Sequence, residues 1–246
     1  FTKDKNVAID TLDQELESSV LEQSISDAPI GVALSGGLDS SLIVNYLNQQ
    51  KKNVKTYSIN FENENGLNLE IDEGKYINYI RKKYSTIHKK TILTEKKYKE
   101  LFLKCVWHNE EPINFPHTPG IYLLSELAKK DGTKVLLGGE GADEFFGGYP
   151  NFLKEKLNTN YFDYTRFIKK NSTLKNFSNY FKYRKLIINQ IKEKNSFNKK
   201  IIYSLSTYLQ SIENRLDKMS MGNGIEFRVP FIKKKILELS LQNNLY

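Results

Sequence analysis

Two short stretches hold most of the side chains able to do chemistry. The first, 34-LSGGLDSS-41, sets Ser35, Gly36, Gly37, Asp39, Ser40 and Ser41 between two apolar runs. Glycines between a strand and a helix let the chain turn tightly and approach a ligand with no Cβ in the way. The first N–H groups of the following helix lack intrahelical partners, so such a turn attracts anions. The three serine hydroxyls add donors suited to phosphate oxygens. A lone Asp39 would repel a phosphate, but it becomes favourable when Mg²⁺ lies between them, because that cation takes a few carboxylates together with phosphate oxygens. The stretch reads as a site for a Mg²⁺-complexed polyphosphate. It lacks the Gly-Lys-Ser/Thr ending of a Walker A loop and any dinucleotide-binding fingerprint. An ordinary βα turn, with Asp39 or Ser40 capping the helix, stays open. The second stretch, 138-GGEGADEFFGG-148, gathers Glu140, Asp143 and Glu144 among glycines. Asp143 is equally suited to capping a helix over 144–148.

The elements that must bring these stretches together follow from periodicity. Ile9, Leu12, Leu16 and Val20 recur at helical spacing, so residues 6–26 read as an amphipathic helix that Pro29 ends. Strands are expected at 30–34, 54–61, 86–93 and 133–137, and helices at 40–50, 72–83, 95–107 and 118–130. Thr118-Pro119 has the form of an N-cap followed by proline in the first helical position. Strands alternating with helices over the first 150 residues imply βαβ units and a doubly wound, mostly parallel α/β sheet. Beyond Tyr149-Pro150 strand signals nearly vanish, and the rest is expected to be helical. Both acidic stretches then fall at carboxyl ends of parallel strands, where open α/β sheets place ligands.

Composition narrows the class further. Of 246 residues, 39% are hydrophobic and only six are proline, which argues for a folded chain. The single cysteine, Cys105, excludes an internal disulfide framework and is expected as a small core residue on a helix. No run of apolar residues is long enough to span a membrane, and the first segment has no signal-peptide core, so a cytoplasmic protein is expected. The net charge is +8, with thirteen Lys or Arg against three Asp or Glu in residues 151–200. Such a strip can attract nucleic acid, and Tyr161, Phe162, Tyr164, Phe167, Phe177, Tyr180, Phe181 and Tyr183 could stack bases. A solvated helical face with packing aromatics explains the same pattern.

The run SGGLDSS resembles the PP-loop of the ATP pyrophosphatases, which split ATP to AMP and pyrophosphate. Within that group, GGEGADEFFGGY at 138–149 is similar to the asparagine synthase type, as are 57-YSINF-61, 118-TPGIYLLSELAKKDGTKVLLGGEGADE-144 and 215-RLDKMSMGNGIEFRVPF-231. The resemblance covers nearly the whole chain and implies one synthetase-type domain over 1–246. Within it, 1–150 would be the PP-loop core, 151–214 a basic helical segment and 215–246 a return to the active site. The implied reaction is attack of an acid's carboxylate on the α-phosphorus of ATP, then displacement of AMP by an amine to form an amide. Aspartate with ammonia is the default pair; a sugar uronate, or lactam or peptide ring closure, is the alternative.

The resemblance further implies that Ser35, Gly36, Gly37, Asp39, Ser40 and Ser41 hold pyrophosphate and that Asp39 and Asp143 ligate Mg²⁺. Leu34, Ile59, Gly138 and Gly139 would contact the nucleotide, Ile59 through its backbone; strand core and a tight turn are the plainer readings of these four. Glu140 would orient the amine and take its proton, an effect on the order of 10²–10⁴ in rate, with a turn-exposed carboxylate as its plain reading. Glu144 would support the loop. Arg215, Asp217, Lys218 and Arg228 are expected to be structural or pocket-lining, and His117 to border the acid's pocket. The pair Glu110-Glu111 reads as a solvated helix end.

The chain departs from the family in three places. Glutamine-dependent members use an N-terminal cysteine, where Phe1 stands first here. The amine is therefore expected from free ammonia, a separate glutaminase domain or subunit, a missing segment, or the substrate itself. The family's charge-stabilising lysine beyond the VPF segment has no counterpart before Tyr246, and Lys233 stands where Asp is usual. A homodimer is compatible with this reading, and membranes and nucleic acid are not expected partners. A tRNA-acting PP-loop enzyme and a non-catalytic nucleotide-binding subunit or fragment are the rival readings.

Overall fold

A computed structural model describes residues 4–50, 53–61, 73–153 and 178–242. Helix α1, Lys5–Gln23, opens at Asp4, whose side chain accepts a bond from the Asn6 N–H. It leads into a run of βα units, β1 Ile30–Ala33, α2 Leu38–Gln50, β2 Lys55–Phe61, α3 Glu73–Lys83, β3 Ile87–Leu93 and α4 Glu95–Asn109. Helix α5, Thr118–Lys130, then returns the chain to β4, Val135–Leu137, and the short α6, Ala142–Phe146. A 3₁₀ turn at Pro150–Leu153, α7 Ser178–Gln190, α8 Ser196–Ser204, a π-helical turn Leu205–Leu209 and α9 Gln210–Met221 follow. The chain closes with β5, Glu226–Arg228, and α10, Lys234–Gln242.

The five strands lie in the order β3-β2-β1-β4-β5, every pair parallel. The chain winds outward from β1 to β3 and then crosses to β4 on the other side of β1. The strand order thus reverses between β1 and β4, and a crevice opens at their carboxyl ends. Helices cover both faces, so the central strands read as near-continuous apolar runs. On one face Val32, Leu34, Ile43, Leu47, Leu137 and Phe145 form a buried cluster. On the other, Tyr57, Leu136, Ala128 and Ile225 pack together. Each such buried aliphatic side chain contributes about 1.5–3 kcal/mol relative to exposure. Cys105 is fully buried in α4 beside Leu101 and Tyr122, and burial pushes its thiol up to about 11, as suits a core residue.

The doubly wound parallel sheet expected from the sequence is present, with three local corrections. The segment after Tyr149 is not all helical: β5 adds a fifth strand, pairing Val135 with Glu226 and Leu137 with Arg228. Thr118 is the first residue of α5, not its cap, and its hydroxyl donates to the Phe115 carbonyl at 2.7 Å. Helix α6 begins at Ala142 with Gly141 in the cap position, so Asp143 sits inside its first turn and does not cap it. Of the basic, aromatic-rich strip, Tyr161, Phe162, Tyr164, Phe167 and Phe177 lie outside the described residues, as do the side chains of Tyr180 and Phe181. Among the described residues no helix is long and apolar enough to cross a membrane.

Candidate active site

The two acidic stretches meet at the reversal of strand order. β1 ends at Ala33, and the chain passes through Leu34 into the Ser35–Gly37 turn before α2 begins at Leu38. Leu34 is buried, and its N–H donates to the Tyr57 carbonyl at 2.8 Å. Gly36 adopts φ 88°, a left-handed conformation that glycine takes without strain. The turn is closed by its own serines. The Ser35 N–H donates to Ser40 Oγ at 3.2 Å, the Gly37 N–H to Ser35 Oγ at 3.2 Å, and Ser41 Oγ to the Gly37 carbonyl at 2.7 Å. Because α2 starts at Leu38, Asp39 stands in its first turn and does not cap it. The first amides of α2 are left without intrahelical partners beside that carboxylate.

The loop after β4 lies directly on this turn. A Cβ on Gly139 would stand 2.8 Å from Asp39 Cβ and 3.1 Å from the Ser40 nitrogen, so only glycine allows the two loops to approach this closely. The Gly138 N–H donates to the Arg228 carbonyl at 2.9 Å, and a Cβ there would strike the Glu140 carboxylate and the Phe227 ring. Gly148 has a similar function for Asp143, whose carboxylate occupies the space a Cβ would fill. This glycine belongs to the quoted 138–148 stretch but was not itself singled out by the sequence reading.

A cavity of about 420 Å³ opens over these loops. Leu34, Ser35, Asp39, Ser40, Ile59, Gly139, Glu140 and Asp143 line it together with His117 and Arg215. Gly36, Gly37, Ser41 and Gly138, expected at the ligand from the sequence, shape the turns and are not among the lining residues. Tyr57, Phe61, Tyr149, Tyr208 and Ile212 line the cavity and were missed. Tyr149 adjoins the glycine-rich stretch. Tyr208 is carried inward by the π-helical turn, an irregularity with no period to mark it. Glu110 and Glu111 are exposed at the end of α4, as expected, and Glu110 pairs with Lys218 at 3.2 Å.

Four carboxyls, Asp39, Glu140, Asp143 and Glu144, face this region. Burial, and then the charges of Asp143 and Glu144, push Asp39 up to about 6. Burial raises Asp143. Glu144 is raised chiefly by burial, although Tyr149 donates to its Oε1 at 2.6 Å. Glu140 is raised chiefly by burial, which outweighs the opposing pull of Arg215, and its Oε2 is buried with no hydrogen-bond partner. His117 is lowered to about 4 by burial and by Arg215, so its ring is neutral near pH 7.

Such a set of mutually repelling, buried and partly buried acids fits a divalent cation. Among the described residues no group of three or more His, Cys, Asp or Glu is arranged to hold a metal by itself. Asp39 and Asp143 can supply two carboxylates, which suits Mg²⁺, a cation that usually completes its shell with water and substrate phosphate.

The Asparagine synthase family model matches residues 11–245. The chain is 29% identical to asparagine synthetase [glutamine-hydrolyzing] 1 of Bacillus subtilis, over 87% of its length and 40% of that protein's. It is 28% identical to asparagine synthetase [glutamine-hydrolyzing] 3 of the same organism, over 90% and 40%. The chain thus spans about two fifths of the length of these relatives. A weaker likeness, at TM-score 0.40 and 15% identity over 87% of this chain and 96% of the other, is to an NH3-dependent NAD synthetase from Campylobacter jejuni. With the family model spanning nearly all of it, the chain belongs to the asparagine synthase family.

Proposed function

We propose that this chain adenylates a carboxylic acid with ATP and then joins an amine to it, releasing first pyrophosphate and then AMP. The observation that carries this reading is the seating of the Asp143 loop on the Ser35–Ser41 turn through Gly139. That contact puts two acids and a phosphate-type turn at the mouth of one cavity.

In the first step a carboxylate oxygen of the acid attacks the α-phosphorus. The bond from that phosphorus to the bridging oxygen breaks, and the electron pair leaves with pyrophosphate. The Ser35–Ser41 turn holds the leaving group with hydroxyls and the first amides of α2. Mg²⁺, held by Asp39 and Asp143, would neutralise charge on the phosphates. Leu34, Ile59 and Gly139 provide the wall against which the nucleotide lies. In the second step the amine nitrogen attacks the acyl carbon, the bond to AMP breaks, and Glu140 takes the proton the nitrogen must lose. Its raised affinity for protons suits that work.

Aspartate is the default acid and ammonia the amine. The relatives' names include glutamine hydrolysis, and a glutaminase domain or subunit would be the corresponding source of ammonia. The test is pyrophosphate release from Mg-ATP with ammonium, against a panel of amino acids and uronic acids. Release dependent on one acid, lost in Asp39→Asn, is the expected result. No release with any acid, despite ATP binding, would rule the reading out for this chain acting alone.

A further inference from the structure

Arg215 projects from α9 into the cavity wall and is 6% exposed. Its guanidinium lies over the Phe115 ring at 4.1 Å, which fixes the plane of the charged fork. Two of its nitrogens, Nε and Nη1, are buried with no hydrogen-bond partner. An arginine cannot lose its proton to escape that penalty, so a buried guanidinium with idle donors calls for an anion. Glu140 attracts it, yet no ion pair joins the two within 4.0 Å. Glu140 Oε2 is itself buried and unpartnered. Both residues line the cavity, and neither satisfies the other.

We propose that Arg215 is a specificity-determining residue that takes a carboxylate of the acid substrate through its idle guanidinium nitrogens. The substrate role rests on the function proposed above; the anion site can be tested without it. The phosphates are not the expected occupant. Asp39, at the phosphate turn, interacts with Asp143 and Glu144, and Arg215 with Tyr208, Glu140 and Tyr149; Glu140 is the group that interacts with both. His117 beside it is neutral near pH 7 and does not compete as a cation. Tyr208 packs edge-on against both Phe115 and Tyr149, so the aromatic support of the fork is continuous.

The experiment is calorimetric titration of the protein with malonate, succinate, L-aspartate and D-glucuronate, each with and without Mg-ATP. At least one of these anions should bind the wild type without displacing Mg-ATP. The Arg215→Gln protein should bind that anion roughly ten- to a hundredfold more weakly, the loss expected for a charged hydrogen bond, while its Mg-ATP affinity stays within about twofold. Arg215→Lys, which keeps the charge but not the fork, should fall between them. Binding by none of the four anions, anion binding that competes with Mg-ATP, or equal weakening of both ligands in the variants would each overturn the proposal. The competition test needs only the wild type and decides the matter even where a variant fails to fold. Anion binding that holds while no acid supports pyrophosphate release would remove the synthetase reading and leave the anion site standing.

Discussion

Asp39 carries the sharpest conflict in the molecule. Burial, and then the charges of Asp143 and Glu144, push its carboxyl up to about 6. A carboxyl raised in the folded state contributes stability that is complete below its unfolded value and is lost as pH rises through the folded one. Near pH 7.5 the ionised Asp39 therefore destabilises the ligand-free protein. Asp39→Asn should melt at a higher temperature than wild type at pH 7.5, with the difference shrinking as pH falls below 6. Equal melting temperatures across that window would mean the carboxyl is not under strain. The same substitution should abolish Mg-ATP-dependent turnover, the usual exchange of stability for function at a ligand site. In the wild type, Mg-ATP affinity should drop as pH falls through 6, since the cation needs the ionised form. Glu140 separates the two half-reactions. If it serves only the amine, Glu140→Gln should keep acid-dependent pyrophosphate release and lose amide product by about 10²–10⁴. Loss of both products together would move Glu140 into the adenylation step.

At the scale of elements, two loops become one site because their glycines let them touch. Gly139→Ala would force the β4 loop away from Asp39 and the start of α2. Mg-ATP affinity should fall at least tenfold, about 1.4 kcal/mol, with far-ultraviolet circular dichroism unchanged. Unaltered affinity would show that the contact can relax. This is also where sequence legibility can be judged. The turns were readable because glycine, serine and acid types carry their chemistry in their identity. The βα order up to β4 was readable because its helices show a period and its central strands are apolar runs bounded by turn residues, Pro29 before β1 and Gly138 after β4. Strand β5 is no shorter than β4, but two of its three residues, Glu226 and Arg228, are charged and it lies at the sheet edge beside β4, so no apolar run marks it. Arg215 and Tyr208 reach the cavity from α9 and the π-helical turn, far along the chain from both acidic loops. The resemblance over 215–231 points to Arg215 as structural or pocket-lining, whereas nothing local to Tyr208 signals a ligand, and only packing brings it in.

At the scale of the whole molecule, the C-terminal segment is part of the frame on which the site is built. Arg228 ends β5, and its carbonyl accepts from the Gly138 N–H at the start of the acidic loop. Its Nη1 donates to the Gln23 and Ile25 carbonyls at 2.7 and 2.8 Å, while Nε pairs with Glu226 at 2.7 Å. One residue thereby ties the end of α1 through its side chain and the β4 loop that leads to Glu140 through its backbone. Ser19 adds a second tie, its hydroxyl donating to the Pro230 carbonyl at 2.7 Å. Lys233 pairs with Glu22 across the same junction, but that pair is largely exposed and is worth little. The two classes of contact can be told apart. Arg228→Ala removes bonds to two carbonyls that water can reach in part and should cost about 0.5–1.5 kcal/mol per bond at most in urea unfolding. Lys233→Ala should stay within about 0.5 kcal/mol. Because the Gly138 bond is made by the Arg228 backbone, the alanine variant keeps it. Any drop in turnover should therefore follow the loss of folded protein and leave KM for Mg-ATP unchanged. A raised KM at full folding would mean that the junction holds the acidic loop in position as well as holding the sheet together.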